Sequence, residues 1–211
     1  MADQVVIVGV GPGNMDMITP EALKSIETAE IIVGSRRILE VFAKPEQVRY
    51  ELSGDLNGLH LNLTAWLGRK IVVLVSGDPG FYSILDWLKR EFPMINLIVI
   101  PGISSIQLAF ARLAQSWYDC KFISLHGREA VDLAREIQQN RKVCFLTDEK
   151  NTPAMILQKM KTAGIKDKWI FIGSSLGTPA EEIWQGRVSE YKQELNQPYS
   201  VVIVEDESLA I

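Results

Sequence analysis

Three short loops rich in glycine and proline, each placed directly after a run of buried-strand character, restrict this chain to a small set of folds. They read Gly9-Val-Gly-Pro-Gly13 after residues 4–9, Ser76-Gly-Asp-Pro-Gly80 after residues 70–75, and Pro101-Gly-Ile-Ser-Ser105 after residues 97–100. The preceding runs are continuous and β-branched, as parallel strands covered on both faces require. Helical spacing follows each loop, at residues 20–29, 82–90 and 106–113. A strand, a glycine loop and a helix in succession place the loop at the carboxyl end of a strand, where open α/β sheets hold their ligands. Gly77 and Gly80 let the main chain approach a ligand closely, Asp78 offers a carboxylate beside exposed amides, and Pro79 stiffens the turn.

The first helix carries its own start signal, Thr19 as N-cap, Pro20 at the first helical position and Glu21 behind it. Further strands are expected at 30–33, 48–52, 121–125, 142–147, 169–173 and 200–204. Helical segments are expected at 59–67, 129–139 and 153–163. The alternating stretch 183–191, joined to 200–204 through Asn196-Gln-Pro198, suggests two neighbouring antiparallel strands. The pattern is interrupted around residue 115. The expected organisation is therefore two packed α/β domains, residues 1–115 and 116–211, with a mostly parallel first sheet and a mixed second one.

Two familiar nucleotide folds fail on spacing. The dinucleotide fingerprint needs its third glycine inside the helix start, yet here the helix signal begins only at Thr19, and no acid after residues 30–33 is placed to hold a ribose. No Gly-Lys-Ser/Thr follows any of the loops, which removes the P-loop. With 211 residues and 47% hydrophobic composition, the chain can bury a sizeable core. Its net charge of −4 and pI near 5.3 argue against a nucleic-acid binder. The apolar run 5–10 is too short to span a bilayer and lacks the basic leader of a signal peptide, so no membrane partner is expected. Cys120 and Cys144 sit in strand-like runs and read as buried free thiols of a cytoplasmic protein. His60 and His126 are far apart, and no cluster has the spacing of a metal site.

Arg36 and Arg37 follow the second strand, where guanidinium groups could meet carboxylates of a ligand or simply begin a solvated helix. Arg128 is open to the same two readings. Ser104 and Ser105 stand at a helix N-terminus, where hydroxyls either cap or bind.

In order and spacing, the three loops, with Asp16 and Thr19-Pro20 behind the first, resemble the tetrapyrrole (corrin and porphyrin) methylases, which use S-adenosyl-L-methionine. The resemblance runs from Val5 to Val204. Val33-Gly-Ser-Arg-Arg37, Ser76-Gly-Asp-Pro-Gly-Phe-Tyr82 and Leu146-Thr-Asp148 ahead of Asn151-Thr-Pro153 are most similar to the branch that methylates carbon 5 of a corrin precursor of cobalamin. Methylation of another tetrapyrrole position or of a different substrate is the alternative within the family, and a nucleotide-binding module without turnover is the alternative outside it. Gly173-Ser-Ser-Leu-Gly177 departs from the Glu-Asn-Leu-Gly frequent in relatives.

The resemblance implies a cofactor cleft between two α/β domains. Carried over residue by residue, it assigns Pro12, Ser76, Gly77, Asp78, Phe81, Ser104, Ser105, Thr147 and Leu176 to the cofactor, and the substrate's carboxylates suit Arg36, Arg37 and Arg128. It also implies a homo-oligomer, a dimer, and leaves room for a separate partner that methylates C15 and removes a carboxyl group, because the chain is too short for that second domain. No intrinsic metal is implied, since cobalt would arrive inside the macrocycle. Asp78, Asp16 and His126 are candidate bases by position, and none is singled out.

Overall fold

The computed structural model describes residues 4–125, 132–165, 168–192 and 195–206, and divides the chain into two compact units, Met1–Ser104 and Ser105–Ile211. In the first unit the elements alternate: β1 (Gln4–Gly9), α1 (Pro20–Thr28), β2 (Ile31–Gly34), α2 (Arg36–Phe42), β3 (Val48–Glu51), α3 (Leu56–Trp66), β4 (Ile71–Val75), α4 (Leu85–Glu91) and β5 (Asn96–Ile100). The five strands form one parallel sheet in the order β3-β2-β4-β1-β5.

Alternation of side chains across these strands assigns each helix to a face. Val8, Ile32, Val72, Leu74 and Ile100 pack with Ala22 and Ile26 of α1 and with Ile38, Leu39 and Phe42 of α2. Val5, Ile7, Ile31, Val33, Ile71 and Val73 pack with Leu59 and Leu63 of α3 and with Leu88 of α4. The sheet is thus doubly wound. After β1 the chain crosses to one face and after adjacent β4 to the other, so the carboxyl ends of these two strands form the sheet's topological switch point. Thr19 caps α1 as its position announces, accepting from the Ala22 amide with Pro20 at the start.

The second unit begins with α5 (Ser105–Leu113) and continues through β6 (Lys121–Ser124), α6 (Leu133–Gln139), β7 (Lys142–Leu146), α7 (Pro153–Thr162), β8 (Trp169–Ser174), β9 (Glu182–Arg187), a 3-10 turn (Val188–Glu190) and β10 (Val201–Glu205). Its sheet order is β6-β7-β10-β8-β9, with only the β6–β7 pair parallel. Apolar side chains of α6 and α7 pack with Ile123, Val143, Phe145, Ile170, Ile172 and Val202.

Three expectations differ in detail. The compact units divide before α5 rather than near residue 115, because Phe110 of α5 packs edge-on against Phe122 of β6 and under the Lys142 ammonium. Residues 183–191 and 200–204 do not pair with each other. β8 lies between β9 and β10, and β10, buried along its whole length, fills the centre of the sheet. Residues 82–84 stay outside α4, since Tyr82 has φ 52 and cannot sit in a right-handed helix.

Candidate cofactor and substrate site

The loops after β1, β4 and β5 close on one another through their main chains. Gly11 and Gly77 exchange hydrogen bonds, Gly77 N to Gly11 O at 2.7 Å and Gly11 N to Gly77 O at 3.3 Å, and Val10 N donates to Val75 O at 3.0 Å. The bare α-carbons make this approach possible. A β-carbon on Gly102 would lie 2.3 Å from Gly77 O and 2.6 Å from Gly9 O, while one on Gly9 would lie 2.6 Å from Gly102 N. Gly77 is required for another reason: its φ is +70, but a β-carbon there would meet only Ser104, at 3.5 Å or more.

Asp78 fastens two of these loops together. Its Oδ1 accepts from Gly80 N at 2.8 Å and its Oδ2 from Gly102 N at 3.2 Å, so the carboxylate spans the β4 and β5 loops. The sequence places this carboxylate on the cofactor or on a proton; in the fold each of its oxygens also accepts one main-chain amide. Ser76 is exposed and Phe81 half-buried beside it, with the Phe81 ring edge-on to Tyr82 at 4.7 Å. Pro12, Ser76, Gly77, Asp78 and Ser104 are therefore brought together at the carboxyl edge of the first sheet, and Ser105, next in the chain, is the first residue of α5.

The two arginines diverge. Arg36 is exposed and pairs with Glu40 one turn along α2 at 3.2 Å. Arg37 turns toward the first glycine loop, its Nη1 donating to Pro12 O at 3.2 Å and approaching Gly13 so closely that a β-carbon would sit 2.6 Å away. Asp16 is exposed on the same loop. Arg128 and His126 lie outside the described residues.

Thr147 and Leu176 belong to the second unit, at the sheet edge where β7 and β8 end and β10 begins. Thr147 is buried, and its hydroxyl donates to Ser200 O at 3.0 Å while accepting from Ser200 N at 2.7 Å. Ser174 and Ser200 share a hydrogen bond of 2.5 Å between their hydroxyls beside it. Leu176 is buried, in a loop held by Glu181: one carboxylate oxygen accepts from Gly177 N at 2.6 Å, and both face Arg112 of α5 at 2.6 and 3.0 Å. The hydrogen bond from Arg112 holds the Glu181 carboxyl below its usual range. Sequence reasoning missed Arg112, Glu181, Ser174 and Ser200, because only the fold makes them neighbours. Asp148, ahead of α7, accepts from the amides of Lys150 and Asn151, so Asp148…Asn151-Thr-Pro is a turn into a capped helix. A groove of about 570 Å³ between α6 and α7, lined by Leu133 and Met155 among others, borders none of these residues.

The first-unit loops carry little charge of their own, and the Arg37 guanidinium lies against the first of them. Residues 9–13, 76–81 and 101–105 contain one acid, Asp78, and no lysine or arginine, while serine hydroxyls, the Phe81 ring and glycine main chain line the strand ends. A doubly wound sheet with glycine loops converging at its topological switch point defines a strand-end ligand-binding protein. A family model described as tetrapyrrole (corrin/porphyrin) methylases matches residues 4–192. The chain belongs to this family. It is a methyltransferase, and its methyl donor is S-adenosyl-L-methionine.

Among its relatives is a Salmonella typhimurium protein named cobalt-precorrin-7 C(5)-methyltransferase, 33% identical over 84% of this chain and 87% of its own length. A Methanocaldococcus jannaschii protein named "Probable cobalt-precorrin-7 C(5)-methyltransferase" is 37% identical over 72% of this chain and 75% of its own. A Sinorhizobium protein named precorrin-6Y C(5,15)-methyltransferase [decarboxylating] is 27% identical over 94% of this chain, which spans 48% of that longer protein. Solved structures with the same fold include the cobalamin-biosynthesis precorrin-6Y methylase of Archaeoglobus fulgidus, with TM-score 0.77, 24% identity and coverage of 98% and 100% of the two chains. Another is a Thermus thermophilus uroporphyrin-III C-methyltransferase complexed with S-adenosyl homocysteine, with TM-score 0.76, 21% identity and coverage of 96% and 97%.

Proposed function

We propose that this protein methylates carbon 5 of cobalt-precorrin-7, or of its cobalt-free counterpart, in the synthesis of cobalamin. The observation that carries this reading is the identity of 33% and 37%, over most of each chain, with relatives named for that reaction. The cofactor contacts are assigned to Pro12, Ser76, Gly77, Phe81, Ser104 and Ser105, with Asp78 holding the loops in place. Arg37, and Arg128 by its sequence position, are assigned to substrate carboxylates.

S-adenosyl-L-methionine supplies an activated methyl group whose sulfonium charge disappears as the new carbon–carbon bond forms. The chain's main contribution is alignment. Glycine loops bonded to one another by main-chain hydrogen bonds do not need to rearrange on binding, and positioning of reacting atoms lowers a barrier by about 7–11 kcal/mol at best. The Asp78 carboxylate places a negative charge beside those loops while remaining fixed by two amides.

We further assign the protein to the cytoplasm as a homodimer that takes a corrin substrate. Among the described residues no helix is long and apolar enough to cross a membrane. Calorimetric titration with S-adenosyl homocysteine, followed by mass analysis of cobalt-precorrin-7 incubated with the methyl donor, tests the central assignment. Binding and the gain of one methyl group at carbon 5 are expected. A folded protein that binds no S-adenosyl homocysteine would overturn it, and methylation of a different ring position would move the protein to another branch.

A further inference from the structure

Four residues other than glycine have a left-handed backbone among those described: Tyr82, Ala114, Ser175 and Tyr199. Ala114 and Ser175 are small, and the Tyr199 hydroxyl meets Glu149 at 3.3 Å. Tyr82 lies directly after the Ser76–Phe81 segment, with φ 52 and a side chain that leaves the residue 47% exposed. A left-handed conformation is costly for a bulky aromatic residue and nearly free for glycine. Hydrogen bonds hold the loop on either side of it: Phe81 N donates to Asp78 O at 3.1 Å, the Ser83 hydroxyl donates to Pro79 O, and Leu85 N donates to the Ser83 hydroxyl at 3.2 Å. Glycine would adopt this conformation without strain and without disturbing these three bonds.

We propose that Tyr82 is a substrate-contact residue, whose ring packs against the face of the tetrapyrrole beside the bound cofactor. Its position supports this. The Tyr82 and Phe81 rings meet at 80° with centroids 4.7 Å apart, so Phe81 braces Tyr82 from the side of the β4 loop. Rings held edge-to-face keep a fixed orientation, and an exposed, fixed aromatic face suits a broad conjugated ligand. Strained residues of this kind cluster at ligand clamps, where the geometry is retained for contact rather than for folding.

This inference rests on the reading of the protein as a tetrapyrrole methylase, and the experiment separates the two. Tyr82→Gly and Tyr82→Phe are compared with the wild type for melting temperature, S-adenosyl homocysteine binding by calorimetry, and KM for cobalt-precorrin-7. The expected Tyr82→Gly protein melts no lower than the wild type and binds S-adenosyl homocysteine within about twofold, with KM raised roughly tenfold. Tyr82→Phe, which keeps the ring, should resemble the wild type in all three. A Tyr82→Gly protein with unchanged KM, or one that melts lower and loses the cofactor, would overturn the proposal. A wild type that binds S-adenosyl homocysteine but methylates no corrin would instead overturn the substrate reading. In that case titration with uroporphyrin III, followed by tryptophan fluorescence, decides on Tyr82 alone: binding lost in Tyr82→Gly supports it, and equal or absent binding in both proteins refutes it.

Discussion

At the scale of single residues, Gly77 and Gly102 are glycines for different physical reasons, and their alanine variants should fail differently. Alanine at position 102 must push a β-carbon into two main-chain oxygens at 2.3 and 2.6 Å, which forces the three loops apart. Overpacking of that kind costs about 1–3 kcal/mol, and here it also opens the cofactor loops, so S-adenosyl homocysteine affinity should fall together with melting temperature. Gly77→Ala has space and meets only a strained φ, costing about 1–2 kcal/mol. Its melting temperature should drop by roughly 2–4 °C per kcal/mol, with the Gly11–Gly77 pairing preserved. Arg36 and Arg37 give a second contrast. Read from sequence, both either meet substrate carboxylates or begin a solvated helix; in the fold Arg37 alone holds the Pro12 carbonyl. Calorimetry on the single variants should therefore find S-adenosyl homocysteine binding weakened by Arg37→Ala and unchanged by Arg36→Ala. Equal effects would remove Arg37 from the cofactor loop.

At the scale of elements, α5 is tied to the loop after β8 by one ion pair. Glu181 accepts from Nε and Nη2 of Arg112 and from the Gly177 amide. Because this pairing lowers the Glu181 pKa from its ordinary 4.5, its stabilisation is fully present above about pH 4.5. It is lost as the pH falls through the lower, folded value. Glu181→Gln should melt below the wild type at neutral pH, and the gap should close as the solution is acidified. A gap that persisted well below pH 4 would mean that the charge on Glu181 is not what braces the loop. The helix starts show a simpler rule. α1, α3, α6 and α7 each begin behind a Thr or Asp whose side chain accepts from an amide of the first turn. α4 begins behind Ile84, whose side chain cannot cap it, and Ser83 one residue earlier accepts from the Leu85 amide instead.

At the scale of the whole molecule, the two cysteines report on burial in the second unit. Both are free thiols; burial pushes Cys120 up to about 12 and Cys144 well above its ordinary 9.0. A thiol raised in this way keeps its proton in the fold, whereas the unfolded chain loses it above about pH 9, so stability should fall as the pH rises from there. Urea unfolding should show that fall, Cys120→Ala should lessen it, and a disulfide reagent should react slowly with native protein and rapidly after denaturation. The sequence by itself determined the strand, glycine-loop and helix order of the first unit, because buried parallel strands are written as continuous β-branched runs and their loops as glycine and proline. It also marked the starts of α1 and α7, since a cap and a proline at the first turn are local chemistry. Tertiary structure alone decided that Asp78 clamps two loops, that Thr147 bonds to Ser200, that Arg37 leaves Arg36 for the Pro12 carbonyl, and that β10 lies between β7 and β8. Each of those depends on contacts between residues far apart in the chain, and hydrophobic period and turn chemistry carry no information about which distant backbone a side chain will meet.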